Sequence, residues 1–198
     1  MRKAPASTPR TKPAAVRREE LLSAAQRLFL EQGVAATSIE QITARAGVAK
    51  GTFYLQFASK GALLEALRER FARDRLREVE RAVAGAPAGE WKKKLSAWAR
   101  AAVAGYLESM PLHDLLFYAA RPVHSHGMTD NPLIDHLLAL LHGGAHERAW
   151  RLEDPRDTAV FLFNGLHGLV ETHARRTGTQ ARRLAQQAEW LFFRTVGV

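Results

Sequence analysis

From Arg17 onward the apolar residues recur every three or four positions, and nowhere do they alternate as a half-buried strand would. Leu21, Leu22, Ala25, Leu28 and Phe29 mark a first helix that Gly33 closes as a C-cap. Thr37 or Ser38 caps a second helix carrying Ile39, Ile42 and Ala46, with Glu40 and Gln41 close enough behind for a capping box. Gly47 breaks the chain, and a third short helix is expected over about 49–57. Ser59 opens a fourth, long helix with Leu63, Leu64, Leu67, Phe71, Leu76 and Val79 facing inward. After a linker at 85–89 (GAPAG) the helical period returns over 91–110, 111–120, 132–150, 155–176 and 179–196, with 121–131 read as a loop. The expected fold is all-α: an N-terminal helix-turn-helix module of three helices, then a larger helical bundle.

Composition narrows the chemistry. A chain of 198 residues with 46% hydrophobic and 25% charged residues supports an ordinary core. It has no cysteine, which removes disulfides, thiolate zinc sites, iron–sulfur clusters and cysteine nucleophiles. No apolar run approaches the roughly 20 residues that cross a bilayer, and the basic N-terminus has no apolar stretch behind it, so a cytoplasmic protein without membrane contact is expected. The formal charge of +9 is unevenly spread. Residues 1–86 hold 16 Lys/Arg against 9 Asp/Glu, whereas 87–198 hold 13 against 11. The first half is therefore the one expected to meet a polyanion. Residues 1–16 are basic and proline-rich and read as a flexible arm, either a plain tail or one that touches DNA. The six arginines of 68–81 alternate with Glu69, Asp74, Glu78 and Glu80, which reads as a solvated helix face.

The segment 38–57, SIEQITARAGVAKGTFYLQF, is the most informative. Gly47 can take the positive φ that lets one short helix leave another steeply. Ile39, Ile42, Ala46, Val48 and Phe53 form the small interface, and Phe53 and Phe57 read as core. The opposite face offers Lys50, Thr52, Tyr54, Leu55 and Gln56, a mixture suited to phosphates and base edges.

Phe29 to Gly33, Thr37-Ser38-Ile39, Ile42, Ala46-Gly47-Val48, Lys50-Gly51, Phe53-Tyr54, Phe57, Ser59-Lys60 and Leu63-Leu64 fall at one combined spacing. In this string, over about residues 17–65, the chain resembles the TetR family of transcriptional regulators. The family often has Tyr or His where Gln56 stands here. The resemblance implies a DNA-binding domain over 17–77, with the helix-turn-helix at about 40–59, and a ligand-binding and dimerisation domain over 78–198. It implies a homodimer, probing double-stranded DNA at an inverted repeat and acting as a ligand-responsive repressor. The implied DNA contacts are Ser38, Arg45, Lys50, Gly51, Thr52, Tyr54, Leu55, Gln56 and Lys60. Lys60 matches a phosphate-binding lysine at a helix start, while Arg45, Lys50 and Lys60 also read as ordinary surface cations.

In the second half, Tyr106, Met110, His113, Phe117, Tyr118 and Arg121, together with Phe163 and His167, are candidates for a small-molecule pocket. Plain core packing is the alternative for each. Pro111 is expected to break its helix. Phe161, Gly165, Gly168, Leu184, Trp190 and Leu191 are candidates for a two-fold interface, the glycines allowing close helix approach. All eight histidines lie between 113 and 173. His124 with His126, and His142 with His146, have metal-like spacing, so a metal-responsive regulator is an alternative reading. Gly143 and Gly144 are expected to end the helix between the second pair, and no metal or other cofactor is assigned. A non-specific DNA-coating protein is a further alternative. No phosphate loop, nucleophile elbow or His-Glu-x-x-His helix is present, so an enzyme is not expected.

Overall fold

The computed structural model describes residues 12–119, 131–174 and 181–198, apart from the side chains of 118, 119 and 174. Among the described residues there are helices and no strand. They are α1 (Ala14–Ala36), α2 (Ile39–Ala46), α3 (Lys50–Gln56), α4 (Lys60–Ala84), α5 (Trp91–Asp114), α6 (Pro132–His146), α7 (Pro155–Ala174) and α8 (Ala181–Val196). A π-helical turn, Leu115–Ala119, continues α5. The chain divides into two units after Leu67, ahead of the boundary at 77 expected from sequence, so α4 contributes residues to both.

The first unit is held by α1, which packs against both α2 and α3. Leu21, Phe29, Ile42, Phe53 and Leu63 are fully buried at its centre. Gly33 takes φ 83° and ψ 161°. It ends the first helical run of α1 where expected, and a short further turn follows across the kink. Ser38 and Gln41 make the expected capping box: Gln41 N donates to Ser38 Oγ at 3.2 Å and Ser38 N to Gln41 Oε1 at 2.8 Å. Gly47 is left-handed (φ 67°, ψ 33°), and this sets the steep departure of α3.

The second unit has one continuous core, drawn from α4 through α8. Its most extensive helix pair is α5 on α8, where Trp98 stacks on Phe192 with ring centroids 5.8 Å apart. At the edge of that pair Glu189 accepts from Ser96 and from Arg100 at 2.6 and 2.9 Å. Pro111 does not break α5, contrary to the expectation from sequence. It removes one backbone donor, and the helix widens into the π turn just beyond it. There the Leu116 carbonyl accepts from Nε of Arg68, which is buried to 9% exposure. The 68–81 face is thus solvated only in part.

Gly143 and Gly144 do not end α6; the helix runs through both to His146. Their role is steric. A Cβ on Gly143 would lie 2.3 Å from the Trp91 ring, and one on Gly144 would lie 2.0 Å from the Trp150 ring. The missing side chains leave the volume that two indoles fill, which offsets the helix propensity lost at two glycines, roughly 1 kcal/mol each. No helix among the described residues is long and apolar enough to cross a membrane.

Candidate functional site

In the first unit α3 presents the face expected from its sequence. Phe53 and Phe57 are buried, as expected, and fix the helix to the unit. Tyr54 is 52% and Leu55 80% exposed. Gly51 is also exposed, and a Cβ there would meet nothing within 4 Å. Thr52 and Gln56 are half-buried beside them. A long apolar side chain thus stands in water next to a tyrosine and a glycine.

The cations of this face are already paired with acids. Arg45 makes two bonds of 3.0 Å to the carboxylate of Glu31. Lys50 Nζ lies 2.5 Å from Glu40 Oε1. The hydrogen bond from Arg45 holds the Glu31 carboxyl below its usual range, and the bond from Lys50 does the same for Glu40. Both pairs are exposed, so each exchanges readily for a phosphate. Glu40→Gln should free Lys50 and remove a like charge from the face. The expected result is a few-fold gain in affinity for DNA of any sequence, with a steeper salt slope. Titrations on an unrelated duplex at several salt concentrations check it; unchanged affinity would show that Lys50 does not reach DNA.

Two candidates carry structural duties, the first of them the cap expected from sequence and the second not foreseen. The Ser38 hydroxyl is occupied as the α2 cap. Lys60 Nζ donates to the carbonyls of Val34 at 2.7 Å and Thr37 at 2.8 Å. It thereby satisfies the end of α1 and the corner into α2, leaving one of its three N–H donors for a phosphate.

In the second unit, Tyr106, His113, Phe117, Phe163 and His167 come together around one cavity, with about 700 Å³ of empty space that is partly open to solvent. Its aromatic wall is tightly nested: Tyr106 lies 4.4 Å from His113 and 5.0 Å from His167, and Phe163 lies 4.3 Å from His167, between ring centroids. Burial is the largest influence on both imidazoles and lowers both, His167 to about 4, so both are neutral at pH 7. Met110 does not line the cavity; it packs against the core. Arg121 and the Tyr118 side chain lie outside the described residues.

Phe71, Arg75 and Glu78, all on α4, also line the cavity and were missed. Arg75 Nη2 donates to Glu78 Oε1 at 2.7 Å, and Nη1 donates to the Gly105 carbonyl at 3.1 Å. A Cβ on Gly105 would stand 3.0 Å from Arg75 Nη1 and 3.3 Å from Glu78 Oε2. The glycine in mid-helix is what admits the ion pair. The signal was available in Gly105 itself, inside an otherwise regular helix, but nothing in the sequence named its partner.

On α7 and α8, Phe161 is 66%, Trp190 60% and Leu191 39% exposed. Gly165 and Gly168 are exposed, and a Cβ on either would meet nothing within the chain. Leu184 is a correction: at 2% exposure it belongs to the chain's own core and is not available to a partner. His142 and His146 share α6, and His124 and His126 lie outside the described residues. Among the described residues no group of three or more His, Asp or Glu is placed to hold a metal.

A capped helix, a left-handed glycine and a short helix with an exposed outer face define a helix-turn-helix head. Residues 21–67 match the sequence model of the bacterial regulatory proteins of the tetR family. Over those residues the chain carries the DNA-binding domain of that family. It is 37% identical over 81 residues to the uncharacterized HTH-type transcriptional regulator YerO of Bacillus subtilis, a match covering 39% of this chain and 28% of that protein. It is 40% identical over 62 residues to YvdT of the same organism, covering 31% and 32%. The matched segments thus span about a third or less of these relatives. Among solved structures, a TetR-family regulator from Streptomyces coelicolor aligns with a TM-score of 0.69 at 22% identity, over 93% of this chain and 98% of that one. That likeness extends the shared fold to the second unit.

Proposed function

We propose that the protein is a homodimeric transcriptional repressor that binds an inverted-repeat operator and is released by a small molecule. The exposed Tyr54–Leu55 face of α3 is the observation that carries the reading. In a helix-turn-helix this face enters the major groove, and a dimer places two such helices roughly 34–36 Å apart. Thr52 then reaches base edges, while Arg45, Lys50, Lys60, Tyr54 and Gln56 hold phosphates. The aromatic cavity supports a ligand: it is partly open to solvent and largely apolar, with few polar groups. Because α4 contributes residues 60–67 to the head and Arg75 and Glu78 to the cavity wall, a ligand that shifts this helix alters DNA affinity, typically by about 1–3 kcal/mol of coupling. A footprint of discrete length, lost on addition of effector, is the expected behaviour. Coating of any duplex at all lengths would replace this reading with non-specific binding.

The dimer rests on the apolar face of Phe161, Trp190 and Leu191 with the open Gly165 and Gly168. The Gly165→Leu, Gly168→Leu double variant tests it cleanly. A Cβ at either position meets nothing within 4 Å among the described residues, and each substitution gains helix propensity of roughly 1 kcal/mol. The expected product is a well-folded monomer with weakened operator binding. A folded variant that sediments as a dimer would move the interface elsewhere.

A further inference from the structure

The Arg75 guanidinium has an unused donor. Its two terminal nitrogens are engaged by Glu78 and by the Gly105 carbonyl. Its Nε is buried and has no hydrogen-bond partner among the described residues. A buried donor left unmade is uncommon, and an arginine N–H in an apolar wall gains strongly from an acceptor. Around it stand rings: Phe71 lies 5.7 Å below the guanidinium, and Tyr106, Phe117, Phe163 and Trp98 line the same cavity.

The two charged side chains that line the cavity offset each other. Glu78 offsets Arg75 at 2.7 Å, and the field of a second acid, Glu171, reaches both His113 and His167. A carboxylate at Arg75 would stand against Glu78, and an ammonium at Glu78 would stand against Arg75. Either pays for a lost hydration shell with a like charge beside its partner. An uncharged acceptor meets neither obstacle.

We propose that this cavity takes an uncharged, ring-bearing molecule with one carbonyl-type oxygen, and that Arg75 Nε–H donates to that oxygen. The rings of the ligand pack on the aromatic wall, which supplies most of the affinity. The hydrogen bond fixes orientation and distinguishes the ligand from its hydrocarbon analogue. Since Arg75 belongs to α4, the same bond ties the ligand to that helix. The proposal rests on the reading of this cavity as the effector site, and it is tested without DNA.

Calorimetric titration of the full-length protein would use 2-acetonaphthone, its acceptor-free analogue 2-ethylnaphthalene, the anion 2-naphthoate and the cation 2-naphthylmethylammonium. The ketone should bind about tenfold more tightly than the hydrocarbon, as expected for one hydrogen bond to a charged donor, and more tightly than either ion. In an Arg75→Met, Glu78→Gln variant, which removes both charges of the wall together, the ketone should lose its advantage over the hydrocarbon. In the wild-type protein the ketone carbonyl stretch should move to lower frequency than in an apolar solvent, a reading independent of how the variant folds. Equal binding of ketone and hydrocarbon, tightest binding by an ion, or an unmoved carbonyl stretch would overturn the role of Arg75 and leave the cavity a ligand site. Binding of none of the four would overturn the cavity reading itself.

Discussion

Gly144→Ala should cost the protein about 2–3 kcal/mol. For a chain of this size that lowers Tm by roughly 5–10 °C. The new Cβ would sit 2.0 Å from the Trp150 ring, well inside contact distance. The ring cannot swing aside, because Trp150 is 3% exposed and its Nε1 donates to the Leu141 carbonyl at 2.9 Å. Either the indole leaves its bond and its pocket, or α6 moves off the core. Gly143→Ala is the internal control. Its Cβ would also collide, at 2.3 Å, but with Trp91, which is only half-buried and can turn outward. The expected loss is correspondingly smaller. Thermal melts of the two variants check the order; a Gly144→Ala protein that melts with the wild type would refute the steric account of the pair.

Acid should destabilise the second unit through His167. Its folded pKa is lowered from 6.5 to about 4, chiefly by burial, with His113 lowering it further and the Phe163 carbonyl and Glu171 opposing. Between pH 6.5 and 4 the unfolded chain therefore binds a proton that the folded chain excludes, so stability falls as pH falls through that window. The full difference is on the order of 3 kcal/mol. His113 is lowered in the same direction, again by burial first. Denaturant midpoints measured at pH 7 and pH 4.5 should drop steeply for the wild type and less for His167→Gln. Parallel profiles for the two proteins would mean that His167 is protonated in the folded state.

The head was legible because its geometry is local. Ser38, Gln41 and Gly47 act within a few residues of themselves, and each stands where its sequence position puts it. Lys60 was legible as a cation but not as a cap, since its carbonyl partners lie more than twenty residues back. In the second unit the same limit decides each miss. Gly143 and Gly144 look like helix breakers until the two indoles that occupy their space are known. Leu184 looks like part of an apolar outer face until the core of the second unit covers it. The alternating charges of α4 look solvated, but Arg68 meets the Leu116 carbonyl and Arg75 a cavity. The Phe163–His167 pair was found because i,i+4 neighbours share a helix face.

Selection of bound sequences from a random DNA pool, at one fixed salt concentration, tests the central claim most directly. The recovered sites should converge on an inverted repeat whose half-sites place two recognition helices about 34–36 Å apart, or at a multiple of that distance. A Tyr54→Ala, Leu55→Ala protein should recover no such motif. A pool without enrichment, or a single unrepeated motif bound by one chain, would contradict the assignment of this protein as a dimeric, operator-specific regulator.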